Sequence, residues 1–293
     1  MQNVAKKIGF NETVFILTST RADILFRYFT PGHEVDLCGH ATIAAFIALC
    51  GASSLPEKNY PKRLQLETRA GILPILIDLQ EANKPIITMS QALPRFIPFS
   101  GNRNALARIL GITFHDIHPT LPLVYGSTGL WTLVVPITKL EAFSRMIPRT
   151  SEFPSVLAEI PEASIHPFCL ETFDAKADIH ARHFSSPRSG TVEDPVTGTA
   201  SGVLGVYYSK FIVADNNNHS LLVEQGQETG RDGRVRVFVE NQSEGFQVQI
   251  AGTGCFVKEF DINIEGRAKP VAAATATLRL PELTSNVRGA SEG

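Results

Sequence analysis

The chain has 293 residues, 43% of them hydrophobic and 19% charged, with a formal net charge of −2. That is enough apolar material for two cores of ordinary size, and the charge gives no electrostatic case for nucleic acid or an anionic membrane as partner. Cys38, Cys50, Cys169 and Cys255 lie scattered without CxxC spacing, which points to reduced thiols in a cytoplasmic protein.

Along the chain, residues 2–8 read as a helix ended by Gly9. Enrichment in β-branched and aromatic residues predicts strands over 13–17 and 24–29. Residues 41–50 carry no charge on any face and stop at Gly51, so a helix buried all round is expected. The run is too short for the about 20 residues that cross a bilayer, and residues 1–7 lack the apolar core of a signal peptide. Strands follow over 63–67, 73–78 and 86–89, then a helix over 104–110, with a boundary near 117–119. The second half replays the order, with strands over 131–136, 164–170 and 179–184, a helix over 139–146, a second uncharged helix over 199–209, and strands over 234–239 and 246–250.

The expected fold class is α+β, with two similar domains, each a strongly curved, mostly antiparallel sheet wrapped around a central apolar helix. Residues 1–118, completed by 252–265, form the first domain; 119–251 form the second. The tail 266–293, rich in Ala, Arg, Pro and Ser, is expected to be disordered. The segment 123–136 before the 139–146 helix has no counterpart before Gln2, so an opening strand is missing from the first half and an unpaired sheet edge is expected there.

Two stretches share one pattern. Asp23-Ile24-x-x-Arg27-Tyr28-Phe29-Thr30-Pro31 leads to Glu34 and Gly39-His40-Ala41-Thr42. Asp178-Ile179-x-x-Arg182-His183-Phe184-Ser185-Ser186-Pro187 leads to Glu193-Asp194 and Gly198-Thr199-Ala200-Ser201. In each, an acidic loop feeds a Gly-started apolar helix, and two such units face to face make a cleft with a helix N-terminus on each wall. Bare backbone N–H groups at Gly39 and Gly198 suit a carboxylate or phosphate. His40 either donates to an anion held there or simply packs at the helix start. One carboxylate of Glu193-Asp194 either works in the cleft or caps the helix near Thr199. Glu12, read alone, is a solvated turn carboxylate.

Cys38 precedes a helix start, where a thiol's pKa can fall. The mirrored loop 191–200 has no cysteine, so a small packed residue is a better reading than one of two epimerase thiols. His115-x-x-His118 and His180-x-x-His183 lack a third ligand, and no metal site is expected. Phosphate-loop, dinucleotide and serine-elbow motifs are absent from the sequence.

At Asn11-Glu12-Thr13-Val14-Phe15, Arg27-Tyr28-Phe29-Thr30-Pro31, Cys38-Gly39-His40-Ala41-Thr42 and Glu193-Asp194-Pro195-Val196-Thr197-Gly198-Thr199-Ala200, the chain resembles the PhzF-like isomerases of phenazine biosynthesis. These share their fold with diaminopimelate epimerases, and Gln225-Gly226 with Gly230-Arg231 extends the match. The resemblance implies proton movement without a cofactor on a small cyclic or unsaturated carboxylic acid, and a homodimer. It implies Glu12 as base, His40 and Asp194 as its catalytic companions, and Gly39, Gly198 and Thr199 at the substrate. Thr199 stands where the family usually has Ser, and Asn11 replaces the usual Ser before the glutamate. The alternatives are an amino-acid racemase or epimerase, and a truncated, inactive interaction protein.

Overall fold

In the computed structural model of the chain, residues 1–51, 60–79, 83–243 and 245–262 are described. The expected tail 266–293 lies outside them. The first half runs α1 (Gln2–Ile8), β1 (Thr13–Leu17), β2 (Ile24–Phe29), β3 (Glu34–Val35), α2 (Gly39–Gly51), β4 (Lys62–Thr68), β5 (Gly71–Leu79) and β6 (Pro85–Ser90). Then come β7 (Arg95–Pro98), α3 (Arg103–Leu110), β8 (Val124–Ser127), β9 (Trp131–Pro136) and the one-turn α4 (Phe153–Val156). The chain continues through β10 (Ser164–Cys169), β11 (Ile179–Ala181), α5 (Gly198–Tyr207), β12 (His219–Gln225), β13 (Gly233–Gln242) and β14 (Gly245–Gly252).

Local chemistry accounts for the ends. Gly9 takes the left-handed conformation, φ 73°, and its amide closes α1 on the Ala5 carbonyl. The Asn102 side chain caps α3 by accepting from the Asn104 and Ala105 amides.

The strands form one path in the order β1-β2-β4-β5-β6-β14-β13-β12-β11-β10-β9-β8-β7, with β3 beside β2. The path mirrors itself about the β6–β14 contact, where Ile250 faces Met89. Parallel β2–β4 has its counterpart in parallel β11–β12, and antiparallel β1–β2 in antiparallel β10–β11. The repeat extends to single bonds. Asp23 accepts from the Gln65 amide at 2.6 Å, and Asp178 from the Leu222 amide at 2.7 Å. Most neighbouring strands are antiparallel, as expected.

The halves differ beyond that. β10 is paired on both sides, by β11 and in parallel by β9, whereas β1 ends the path among the described residues. β7 pairs with β8, and Leu106, Ile109 and Leu110 of α3 pack with Leu133, Val135 and Phe143. Residues 95–110, which the sequence reading placed in the first half, therefore side with the second. β9 is buried on both faces: Val134 joins the core around the central helices, while Leu133 and Val135 join the core beneath α3. After β14 the chain runs back over the first half, where Gly254 lies against Ile47 and Phe260 packs edge-on against Phe10.

α5 is buried over its whole length, held by β13, β14, β12 and β8. α2 departs from the expected all-round burial. Ala44 is exposed and residues 47–50 are half-buried, because the described first half has nothing equivalent to β8 over that face. Residues 139–146 form a 3-10 turn over Leu140–Arg145 rather than an α-helix; the segment is too short to propagate one before Pro148. β11 stops at Ala181 instead of reaching Phe184, since Arg182 turns inward to Glu193 and the carbonyls of Phe143 and Met146. α5 loosens into a π-turn at Tyr208–Ile212. β3, β7 and β12 carried no clear signal in the sequence. No helix among the described residues is long and apolar enough to cross a membrane.

Candidate active site

The N-termini of α2 and α5 meet head to head. An added Cβ would fall 2.5 Å from Ile250 Cδ1 at Gly198 and 2.8 Å from the same atom at Gly39, so bare glycine at both helix starts is what leaves room for Ile250 against them. Around this junction opens a cavity of about 680 Å³, with Glu12, Gly39, His40, Asp194 and Thr199 in its lining. Gly198 stands behind the wall rather than in it. Apolar side chains such as Leu37, Leu130 and Trp131 complete the walls.

His40 is the bridge. Its Nε2 lies 2.8 Å from Glu12 Oε2 and its Nδ1 3.3 Å from Asp194 Oδ2, and its side chain keeps 28% exposure, so a ligand can reach it. The approach to Glu12 is off-line: Oε2 is buried and receives no aligned hydrogen bond. The contact is one of charge, and the oxygen keeps a lone pair free for another proton.

Each carboxylate is placed by its neighbour. Asn11 Nδ2 donates to the Glu193 carbonyl at 2.9 Å, tying the turn that carries Glu12 to the loop that carries Asp194. Arg182 grips Glu193 through two parallel bonds of 2.8 and 2.6 Å, and Arg27 grips Glu34 likewise at 2.8 Å each. Asp194 accepts from the Thr197 hydroxyl and, at 3.3 Å, from the Val196 amide. Asp194 and Thr197 thus hold the loop in place as well as facing the cavity. Thr199 is fixed through its carbonyl, which accepts from the Thr128 hydroxyl at 3.0 Å.

Electrostatically the three groups are a unit. Burial alone pushes the His40 imidazole down, but Asp194 first, with Cys38 and Glu12, outweighs it and holds the ring well above the usual histidine range. Burial raises the Asp194 carboxyl, helped by Glu12 and opposed by His40 and Thr197. Cys38 lies 3.7 Å from His40 Nδ1. Burial, with Glu12 adding to it, pushes its thiol up to about 11, so it is a thiol at neutral pH. Glu12, Cys38 and His40 present atoms within 4.8 Å of one another and could hold a metal ion, but capture would first have to deprotonate that thiol.

The structure separates the other histidines. His180 is fully buried, with Glu224 at 3.1 Å on one nitrogen and Glu228 at 3.0 Å on the other. His118 Nδ1 accepts from the Leu121 amide at 3.2 Å. His183 leaves the His180 pair and lines the cavity, a placement the sequence reading missed because β11 was expected to run past it. Trp131 was missed too; nothing local marks a strand's first residue as a cavity wall.

Two mirrored sheets, each around a Gly-started helix, with ionisable groups between the helix starts, define a two-lobed isomerase fold. The family model for phenazine biosynthesis-like proteins matches residues 1–259. The chain is 48% identical over 256 residues to the uncharacterized isomerase YfhB of Bacillus subtilis, covering 87% of this chain and 85% of that one. It superposes on the crystal structure of a PhzF-family phenazine biosynthesis protein of Bacillus anthracis with a TM-score of 0.85 and 51% identity, covering 90% of this chain and 88% of the other. The trans-2,3-dihydro-3-hydroxyanthranilate isomerase of Pseudomonas aeruginosa is 29% identical over 262 residues, 88% of this chain and 86% of its own. The chain belongs to the phenazine biosynthesis-like, PhzF family, and it is an isomerase.

Proposed function

We propose that the chain moves a proton on a small cyclic or unsaturated carboxylic acid, with Glu12 as the base. The observation that carries this is His40 held between Glu12 and Asp194 at 2.8 and 3.3 Å, in a cavity between two helix N-termini. The substrate carboxylate lies against the amides of Gly39 and Thr199, where both helix dipoles favour negative charge. Glu12 Oε2, free of an aligned hydrogen bond, takes the proton from a carbon next to the unsaturated system. The charged His40 imidazole and the two helix starts stabilise the charge that spreads over the substrate. His40, kept protonated by the Asp194 carboxylate, gives a proton to a second carbon and is reprotonated by Glu12 across their 2.8 Å contact, so both groups end as they began. The apolar walls exclude bulk water while the substrate carries its charge, and His40, with 28% side-chain exposure, exchanges its proton with solvent between turnovers.

Proton NMR in D2O over a panel of cyclic amino- and hydroxy-carboxylic acids tests the reading. Deuterium enters a substrate carbon with wild type and not with Glu12→Gln; exchange by Glu12→Gln at the wild-type rate would remove Glu12 as base. The Pseudomonas aeruginosa relative, a trans-2,3-dihydro-3-hydroxyanthranilate isomerase, makes dihydro-hydroxyanthranilates a first choice for the panel. A racemase is the second reading, favoured only by Cys38 beside His40. A protonated thiol with no partner in loop 191–200 speaks against it. Cys38→Ser is expected to keep exchange within a few-fold, and collapse would restore the thiol-based racemase.

A further inference from the structure

Position 183 is where the two copies of the repeat part company. Its counterpart Tyr28 is wholly buried on β2, with its hydroxyl closed against that of Thr42 at 2.6 Å. β2 runs on to Phe29, whereas β11 ends at Ala181, and His183 leaves the sheet to line the cavity. Its Nδ1 lies 3.3 Å from Nδ1 of His166, a ring on β10 with no exposed surface and with its Nε2 buried without a partner. Two imidazoles can join through these nitrogens only if one donates and the other accepts, so the pair holds complementary tautomers. The backbone carbonyl of His183 accepts from the Asp194 amide at 3.0 Å. The residue is thus fixed through its ring on one side and its backbone on the other, next to a carboxylate of the site, with Nε2 as its remaining polar atom.

Burial first, and His166 next, push the His183 imidazole down to about 3, and burial pushes His166 to about 3 as well. Both rings are therefore neutral at physiological pH. Glu12, His40 and Asp194, with the exposed Arg188–Glu162 pair, are the ionisable groups that meet charge in this cavity; a neutral imidazole gains little from a carboxylate and hydrogen-bonds a neutral group well. Resting on the acid/base reading above, we infer that His183, held in place by His166, selects carboxylic acids that carry a hydroxyl group, which it hydrogen-bonds through Nε2. Here His183 is a substrate-binding residue and His166 a positioning residue.

Calorimetric titration of the full chain with benzoate, 2-hydroxybenzoate and 3-hydroxybenzoate tests this without turnover. One hydroxybenzoate is expected to bind wild type about tenfold more tightly than benzoate, as for one well-made hydrogen bond in a dry site. In His183→Phe the ratio falls to within about twofold; in His183→Gln, which keeps a polar group, part of it returns. His166→Phe lowers the ratio and His166→Gln restores it, an outcome that a merely structural role would not give. If His183→Phe fails to fold, His183→Met reads the same ratio. Equal binding of all three acids by wild type, no binding at all, or a ratio that survives loss of the imidazole overturns the inference. The isomerase reading stands or falls separately, because Glu12→Gln is expected to abolish deuterium exchange while keeping the hydroxyl preference.

Discussion

Replacing Gly198 by Ala puts a methyl group 2.5 Å from Ile250 Cδ1, at the point where α2 and α5 meet. Carbon atoms pack at about 3.5–4.0 Å, so the helix start or the isoleucine must shift by about 1 Å. Ile250 is fully buried on β14, and over-packing of this kind costs about 1–3 kcal/mol. The remaining neighbours, the Gly39 Cα and carbonyl carbon at 3.6 and 3.8 Å, are ordinary contacts, so the clash is confined to one methyl group. Ile250→Val removes that methyl and by itself costs about 0.5–1.5 kcal/mol as a small cavity. In Gly198→Ala/Ile250→Val the new Cβ fills the space, and the two changes should cost less together than their sum, by about 1 kcal/mol or more. Urea unfolding of the four proteins measures this coupling. Exchange activity gives a second readout: a shift of about 1 Å in the α5 N-terminus can cost about a hundredfold, and the double variant should recover most of it. Strict additivity in stability, or a Gly198→Ala protein as stable as wild type, would refute the close-approach account of the glycine.

The two mirrored arginine–glutamate pairs should not be equal. Arg182 and Glu193 keep 8% and 12% side-chain exposure, against 38% and 14% for Arg27 and Glu34. Arg182→Met leaves a buried carboxylate and the Met146 carbonyl without a donor, while the Phe143 carbonyl keeps the Met146 amide at 3.2 Å. It should cost about 3–5 kcal/mol, and Arg27→Met should cost clearly less because water screens the pair. Equal losses in urea unfolding would deny the burial argument. His40 supplies a pH signature. Its folded pKa lies above the unfolded value, so folding favours the protonated ring, and the stability this contributes is full below about pH 6.5 and is lost as pH rises through the raised folded value. The advantage of wild type over His40→Asn should therefore be largest between the carboxylate range and about pH 6.5, and shrink in alkali. An advantage that grows with pH would reverse the assigned charge.

Much of the site was readable because it lies in short motifs whose parts are neighbours in the chain. Cys38-Gly39-His40 and the run from Glu193 to Ala200 each place an acid or base beside a helix start, and that relation survives any packing of the two halves. Glu12 was different. Read alone it was a solvated turn carboxylate, and only the resemblance singled it out; Asn11 reaching the Glu193 carbonyl is what brings its loop to Asp194. His183 looked like half of a spaced histidine pair until β11 ended early and His166, from another strand, took its Nδ1.

By itself the sequence determined the repeat, the two uncharged central helices, most of the strands and the residues at the helix starts. Those depend on periodicity, capping and composition, which act over a few residues and need no partner. Tertiary structure alone decided that β6 and β14 join the mirrored sheets, that residues 95–110 dock on the second half and that α2 keeps an open face where α5 has none. It also decided the protonation states: carboxylates from distant parts of the chain hold His40 charged against its burial, while burial and Glu12 keep Cys38 a thiol. Desolvation and Coulomb energies depend on distances in space, and those distances are set only when the two halves close on each other.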